Sequence, residues 1–129
     1  MKKKTEKQRI GAIGEDIAVR FLVKHGYTVI CRNYRKKFGE IDVICEKLDK
    51  THFFEVKTVS RENISRETPN EHRPEENIHE TKLRRIGRTI EAYLSEQSTD
   101  KDWEFHAIIV KLNEKQKKAR VVMLKDLAI

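Results

Sequence analysis

The chain has 129 residues, of which 37% are apolar, enough for one compact core without disulfide support. Its 28 basic and 21 acidic residues leave a net charge of +7, which suits a polyanionic partner or an acidic protein surface. No long apolar run follows the basic start MKKKTEKQR, so neither a signal peptide nor a membrane span is expected, and the cytoplasm is the expected compartment.

Residues 7–24 carry a helical stripe of Ile10, Ile13, Ile17 and Phe21, with Ala18 and Leu22 beside it. Gly26 follows as a natural stop. YTVICRNY (27–34) predicts a strand, EIDVICE (40–46) a second, and THFFEVKTV (51–59) a third. KLDK links the last two as a tight hairpin connection. Residues 60–77 are polar, hold both prolines and lack periodicity, so a mobile loop is expected there. A second helix is expected from near Ile78, with Leu83, Ile86, Ile90 and Leu94 on one face. WEFHAIIVKL (103–112) and ARVVML (119–124) predict two final strands. The order α-β-β-β-α-β-β implies an α/β fold: a mixed five-stranded sheet flanked by helices, in one domain. Cys31 and Cys45 fall in apolar strand-like runs and are expected to be reduced core thiols.

The chemistry concentrates in the predicted hairpin. With Leu48 and Asp49 as a two-residue loop, residue 47 pairs with 50 and Asp42 falls across from Glu55. Alternation then places Asp42, Glu55 and Lys57 on one face, and Ile41, Val43, Cys45, Phe54 and Val56 on the other. Two carboxylates side by side repel, and a cation between them removes that cost. Oxygen donors of this kind suit Mg²⁺ or Mn²⁺, whose remaining partner is commonly a phosphate oxygen. Lys57 is then placed to position or deprotonate a water, or to neutralise charge developing on phosphorus. Glu15, at the margin of the first helix's apolar stripe, is a third candidate acid, and Gly11 and Gly14 would permit close approach. A solvated Glu–Lys pair on a wet sheet face is the alternative reading of Glu55 and Lys57. Glu40 shares the Asp42 face and is a further alternative. Basic clusters supply candidate nucleic-acid contacts: Arg32, Arg35, Lys36 and Lys37 in RNYRKK, and Lys82 and Arg85 in KLRR. Tyr34, set among these, is a candidate for stacking on a base. His52, His72 and His79 share no metal-ligand spacing, and His106 in its strand is expected to be a hydrogen-bonded structural residue.

The stretch from Gly11 to Ser60 closely resembles the opening of the bacterial UPF0102 family, in Gly11, Gly14, Glu15 and Ala18, then Asn33, then Gly39-Glu40-Ile41-Asp42, then Glu55-Val56-Lys57. Lys82 stands where that family has a lysine opening its second helix. The resemblance implies a restriction-endonuclease-like, or Holliday-junction-resolvase-like, core. It maps a metal-binding acid onto Asp42, the E-x-K signature onto Glu55 and Lys57, and a helix acid onto Glu15. Glu15, Asp42 and Glu55 are thereby implied as metal ligands and, with Lys57, as catalytic. The chain departs from the family in FHAI, where His106 replaces the usual aspartate. The activity implied is Mg²⁺- or Mn²⁺-dependent phosphodiester hydrolysis, in DNA before RNA, by a protein able to act as a homodimer. The alternatives are a nucleic-acid-binding or adaptor protein that keeps the fold and cuts little, and a protein-interaction domain with a basic face.

Overall fold

The computed structural model describes residues 4–60 and 80–129. Within them the chain runs α1 (Glu6–Lys24), β1 (Thr28–Lys36), β2 (Gly39–Lys47), β3 (Lys50–Ser60), α2 (Glu80–Gln97), β4 (Trp103–Asn113) and β5 (Lys118–Leu124). The loop expected over 60–77 lies outside the described residues except for Ser60, which ends β3.

Both ends of α1 have a local cause. Thr5 caps α1 with its hydroxyl on the Gln8 amide, and the Gln8 side chain answers on the Thr5 amide, a reciprocal capping box. At the other end Gly26 adopts φ +90°, while Gly26 N–H bonds to Val23 O and Tyr27 N–H to Leu22 O. This left-handed closure turns the chain into β1.

The sheet order is β1-β2-β3-β4-β5, with β3–β4 parallel and the other neighbours antiparallel. This is the restriction-endonuclease-like topology. The parallel step follows from α2, which carries the chain across the sheet between β3 and β4. α1 covers one face over Ala18, Leu22, Tyr27, Val43, Cys45, Phe54, Ile108 and Val110. α2 covers the other over Ile41, Ile44, Phe53, Ile86, Ile90, Tyr93 and Phe105. Two glycines set these distances. A Cβ on Gly14 would fall 1.8 Å from Thr58 Oγ1, so α1 lies directly on β3. A Cβ on Gly39 would fall 2.8 Å from the Arg85 carbonyl oxygen, so α2 lies equally close on the start of β2. Gly11 has open space and permits no such approach.

The hairpin register is the expected one: Lys47 pairs with Lys50 and Val43 with Phe54, around a turn in which Leu48 and Asp49 both have positive φ. One expectation about facing does not hold. Ile41 packs with Ile44 under α2, not with Val43 and Cys45 under α1. The cause lies across the ladder in β1, where Asn33 has φ +54° between Arg32 and Tyr34, which pair with Val43 and Ile41. That left-handed residue rotates the strand pair locally and breaks the alternation at position 42. Tyr34 consequently points into the α2 core, edge-on to Tyr93 and bonded to Glu96, and is not free to stack on a base.

The same irregularity splits the sheet. β2–β3 pairing ends at Val43–Phe54, while β1–β2 continues to Lys36–Gly39 and β3–β4 continues to Ser60–Leu112. The two strand pairs part at Asp42 and Glu55 and leave a fork in the sheet.

Candidate functional site

Asp42 sits in the crotch of the fork. Its Oδ2 accepts the Val56 N–H at 2.7 Å, so the side chain takes the place of a backbone acceptor where the ladder stops. Being neither above nor below the sheet, Asp42 lines a cavity of about 490 Å³ against α1 and another of about 400 Å³ against α2. Burial pushes its carboxyl up to about 8, the neighbouring Glu55 adds to the rise by its charge, and the Val56 amide opposes it. Glu40 lines both cavities too and raises the Asp42 carboxyl further.

The other expected residues divide between the two sides. Glu55 is buried, at 9% exposure, and opens to the α2 side, where Lys82 Nζ approaches its Oε1 to 2.5 Å. Arg85 lines the same space. Lys57 and Glu15 line the α1 side with Asn33. Glu15 Oε1 accepts from Arg32 Nε and from Asn33 Nδ2, both at 3.1 Å. Asn33 therefore serves twice, bending β1 and holding the helix acid. Asp42 and Glu55 are brought together, as the hairpin register implies. Glu15 and Lys57 meet Asp42 from the opposite side of the sheet to Glu55, and not on the single face that simple alternation predicts.

The basic residues also separate. Arg32 is committed to α1, with Glu15 at 3.1 Å and Asp16 at 2.8 Å. Arg35, Lys36 and Lys37 line a groove of about 700 Å³ with Arg85 and Arg88, next to Gly39 and Glu40. Arg88 lies over the Phe38 ring at 4.4 Å, and Lys36 pairs with Glu96 at 2.9 Å. This groove joins the mouth of the α2-side cavity through Gly39, Glu40 and Arg85.

A second cluster was not legible as a set in the sequence. His52, Glu104 and His106 place their donor atoms within 4.8 Å of one another, inside the reach of one divalent ion. Parallel pairing sets Glu104 beside His52, and His106 two residues further along β4. Both rings lie on the α1 side of the sheet, against Tyr27 and Phe54. Burial pushes His106 down to about 4, helped by the charge of His52, and burial lowers His52 as well. His72 and His79 lie outside the described residues.

Comparison with known proteins places these residues in a family. The model described as "Uncharacterised protein family UPF0102" matches residues 14–110. A UPF0102 protein of Campylobacter jejuni subsp. jejuni (strain 81-176) is 37% identical over 101 residues, 78% of this chain and 82% of that protein. One from Campylobacter fetus subsp. fetus is 34% identical over 106 residues, 81% of this chain and 85% of its own. One from Sulfurimonas denitrificans is 33% identical over 100 residues, 78% and 84% respectively.

Proposed function

The chain belongs to the UPF0102 family, and from the forked sheet we propose that it is a Mg²⁺- or Mn²⁺-dependent nuclease that hydrolyses phosphodiester bonds, in DNA of branched or damaged structure. The observation that carries this reading is the pair Asp42 and Glu55, half-buried and buried side by side where β2 and β3 part. Burial and the neighbouring acid raise the Asp42 carboxyl to about 8, so a cation beside it would favour its ionised form. An all-oxygen donor set fits a hard divalent cation, held by Asp42 and Glu55 with Glu15 on the far side. Such an ion supplies Lewis-acid polarisation of a phosphate oxygen and a more acidic water.

The chain's own residues do the rest. Lys57 lines the α1-side cavity with Asp42 and Glu15, where it can hold a water or accept its proton. Lys82 and Arg85 face the α2-side mouth, where a phosphate would neutralise them. The Arg35–Lys37 and Arg88 groove extends that mouth, and phosphate contacts there would position a strand without reading its sequence. With one Asp42–Glu55 pair per chain, cutting both strands of a duplex would take two copies. We place this activity in the cytoplasm.

A second reading rests on Lys82. Its ammonium already neutralises Glu55 at 2.5 Å, so the buried acid has a counter-charge without any metal. That favours a binding or adaptor protein that keeps the fold and cuts little. Incubating the protein with single-stranded, duplex, flapped and four-way DNA, in Mg²⁺, Mn²⁺ or chelator, separates the two. Metal-dependent product supports the nuclease. Salt-sensitive binding with no product under any metal supports the adaptor.

A further inference from the structure

The His52–Glu104–His106 cluster lies on the face of the sheet opposite Glu55, and the forked-sheet chemistry makes no use of it. Its geometry is specific. His52 Nδ1 and His106 Nε2 are 2.9 Å apart. Glu104 Oε1 stands 3.8 Å from the first and 3.6 Å from the second. Donors bound tetrahedrally to one zinc-sized ion at about 2.0–2.2 Å are separated by about 3.3 Å. The three observed separations bracket that value. The other Glu104 oxygen, Oε2, is taken by Lys50 at 3.0 Å, which leaves Oε1 turned to the rings.

Hydrogen bonds fix the positions of the two rings. The Asp126 N–H donates to His106 Nδ1 at 2.9 Å. The His106 proton therefore sits on Nε2 and donates to His52 Nδ1. One proton holds together two nearly parallel imidazoles, 18° between planes, of which His106 is 1% exposed and His52 6%. A neutral imidazole nitrogen is the form that binds metals.

We propose that this cluster is a binding site for a divalent transition metal of the zinc class, with His52 Nδ1, His106 Nε2 and Glu104 Oε1 as ligands and water in the fourth position. Two imidazole nitrogens and one carboxylate suit Zn²⁺ and Co²⁺ better than Mg²⁺. The ion takes the place of the shared proton. The His106 proton passes to Nδ1, and the Asp126 amide that now bonds there turns away. The segment that has to adjust, residues 125–129, lies outside the strands and is largely exposed, although Leu127 N–H bonds to Phe105 O at 2.8 Å. Metal entry thus ties the starts of β3 and β4 together and loosens the C-terminal segment.

The test is calorimetric titration of the full chain with Zn²⁺, with Co²⁺ absorption as a report of coordination. The expected result is one Zn²⁺ per chain at the cluster, counted in Asp42→Asn so that ions held at the fork do not add to it, and an intense tetrahedral Co²⁺ spectrum. Zinc at a hundredfold excess over Kd is expected to raise Tm by about 5–10 °C. Glu104→Gln, at a half-buried position, and His106→Gln are each expected to weaken binding at least about tenfold. Asp42→Asn is expected to bind Zn²⁺ as the native chain does, whatever becomes of Mg²⁺ or Mn²⁺ at the fork. Histidine ¹⁵N spectra of the native chain are expected to show His106 change from Nε2–H to Nδ1–H on zinc addition. Absence of stoichiometric zinc binding overturns the proposal. So does binding that survives both Glu104→Gln and His106→Gln, or that is lost in Asp42→Asn alone.

Discussion

Asp42 accepts the Val56 N–H with its side chain, at 2.7 Å, in the position where a backbone carbonyl would continue the β2–β3 ladder. The carboxyl is therefore part of the sheet's hydrogen bonding and part of the site at once. Its raised pKa, to about 8 against an ordinary 3.8, is a statement about stability. The folded chain keeps a proton that the unfolded chain releases. The stabilisation is complete below the unfolded pKa and is lost as pH rises through about 8. The buried histidines, which the unfolded chain still titrates near 6.5, act in the opposite sense, so the difference between the native and Asp42→Asn profiles in the window from pH 6.5 to 8 isolates Asp42. Metal-free protein is expected to lose stability to urea across it, and Asp42→Asn, whose amide oxygen can still accept from Val56, is expected to be flatter. Parallel profiles for the two proteins would refute this account. Mn²⁺ binding to the native chain is expected to release up to one proton per ion in the same range.

Lys57 lies with Asp42 and Glu15 in the α1-side cavity and is proposed to act on water, not to hold the cation. Lys57→Ala is expected to lower cleavage by about 10²–10⁴-fold with the fold and Mn²⁺ affinity retained. Asp42→Asn is expected to lose cleavage and most Mn²⁺ affinity together. Equal loss of metal binding in both variants would make Lys57 a structural residue.

Lys82 balances Glu55 across the α2-side cavity. Lys82→Met is expected to destabilise the metal-free protein at pH 8 by about 1 kcal/mol, the ammonium being half exposed. Saturating Mn²⁺ is expected to close the gap, because a cation at the carboxylates does what Lys82 does in its absence. A deficit unchanged by Mn²⁺ would show that Lys82 contributes packing alone.

Gly14 marks the closest approach of α1 to the sheet, with Thr58 Oγ1 1.8 Å from where a Cβ would stand. Gly14→Ala is expected to cost about 2–3 kcal/mol, despite alanine's better helix propensity. Thr58→Ala in the same chain removes the contacts at 1.8 and 2.6 Å and leaves one at 2.7 Å, so part of the loss is expected to return. Simply additive losses in thermal unfolding would place the strain elsewhere.

The element order and the hairpin register were legible because they rest on local signals. Apolar periodicity marked the helices, and the two-residue spacing at Leu48–Asp49 set Lys47 against Lys50 and Val43 against Phe54, one step short of Asp42 and Glu55. The facing of Ile41 was not legible, because it is set from a neighbouring strand by the left-handed backbone of Asn33. Alternation assumes an unbroken ladder, and here the ladder stops just short of Asp42 and Glu55. The commitment of Arg32 to Glu15 and Asp16 was hidden for a similar reason: a basic run does not say which of its members a nearby helix will neutralise. His52 and His106 looked unrelated because the parallel pairing of β3 with β4 joins residues far apart in sequence.

That parallel pairing also governs how the protein must assemble. The β1–β2, β2–β3 and β4–β5 hairpins close over short turns and can form by local encounter. Thr51 and Trp103, the first partners of the parallel pair, must meet across 52 positions of chain. Loop-closure entropy makes that meeting the slow one. Asp42 and Glu55 lie at the open end of the early β2–β3 unit, one step beyond its last pair, whereas Lys82 arrives only with α2. The two acids are therefore drawn together before their counter-charge is in place. Refolding should run faster near pH 6.5, where Asp42 readily takes up a proton as the two acids meet, than near pH 8, and a divalent ion present from the start should shorten the slow phase at the higher pH.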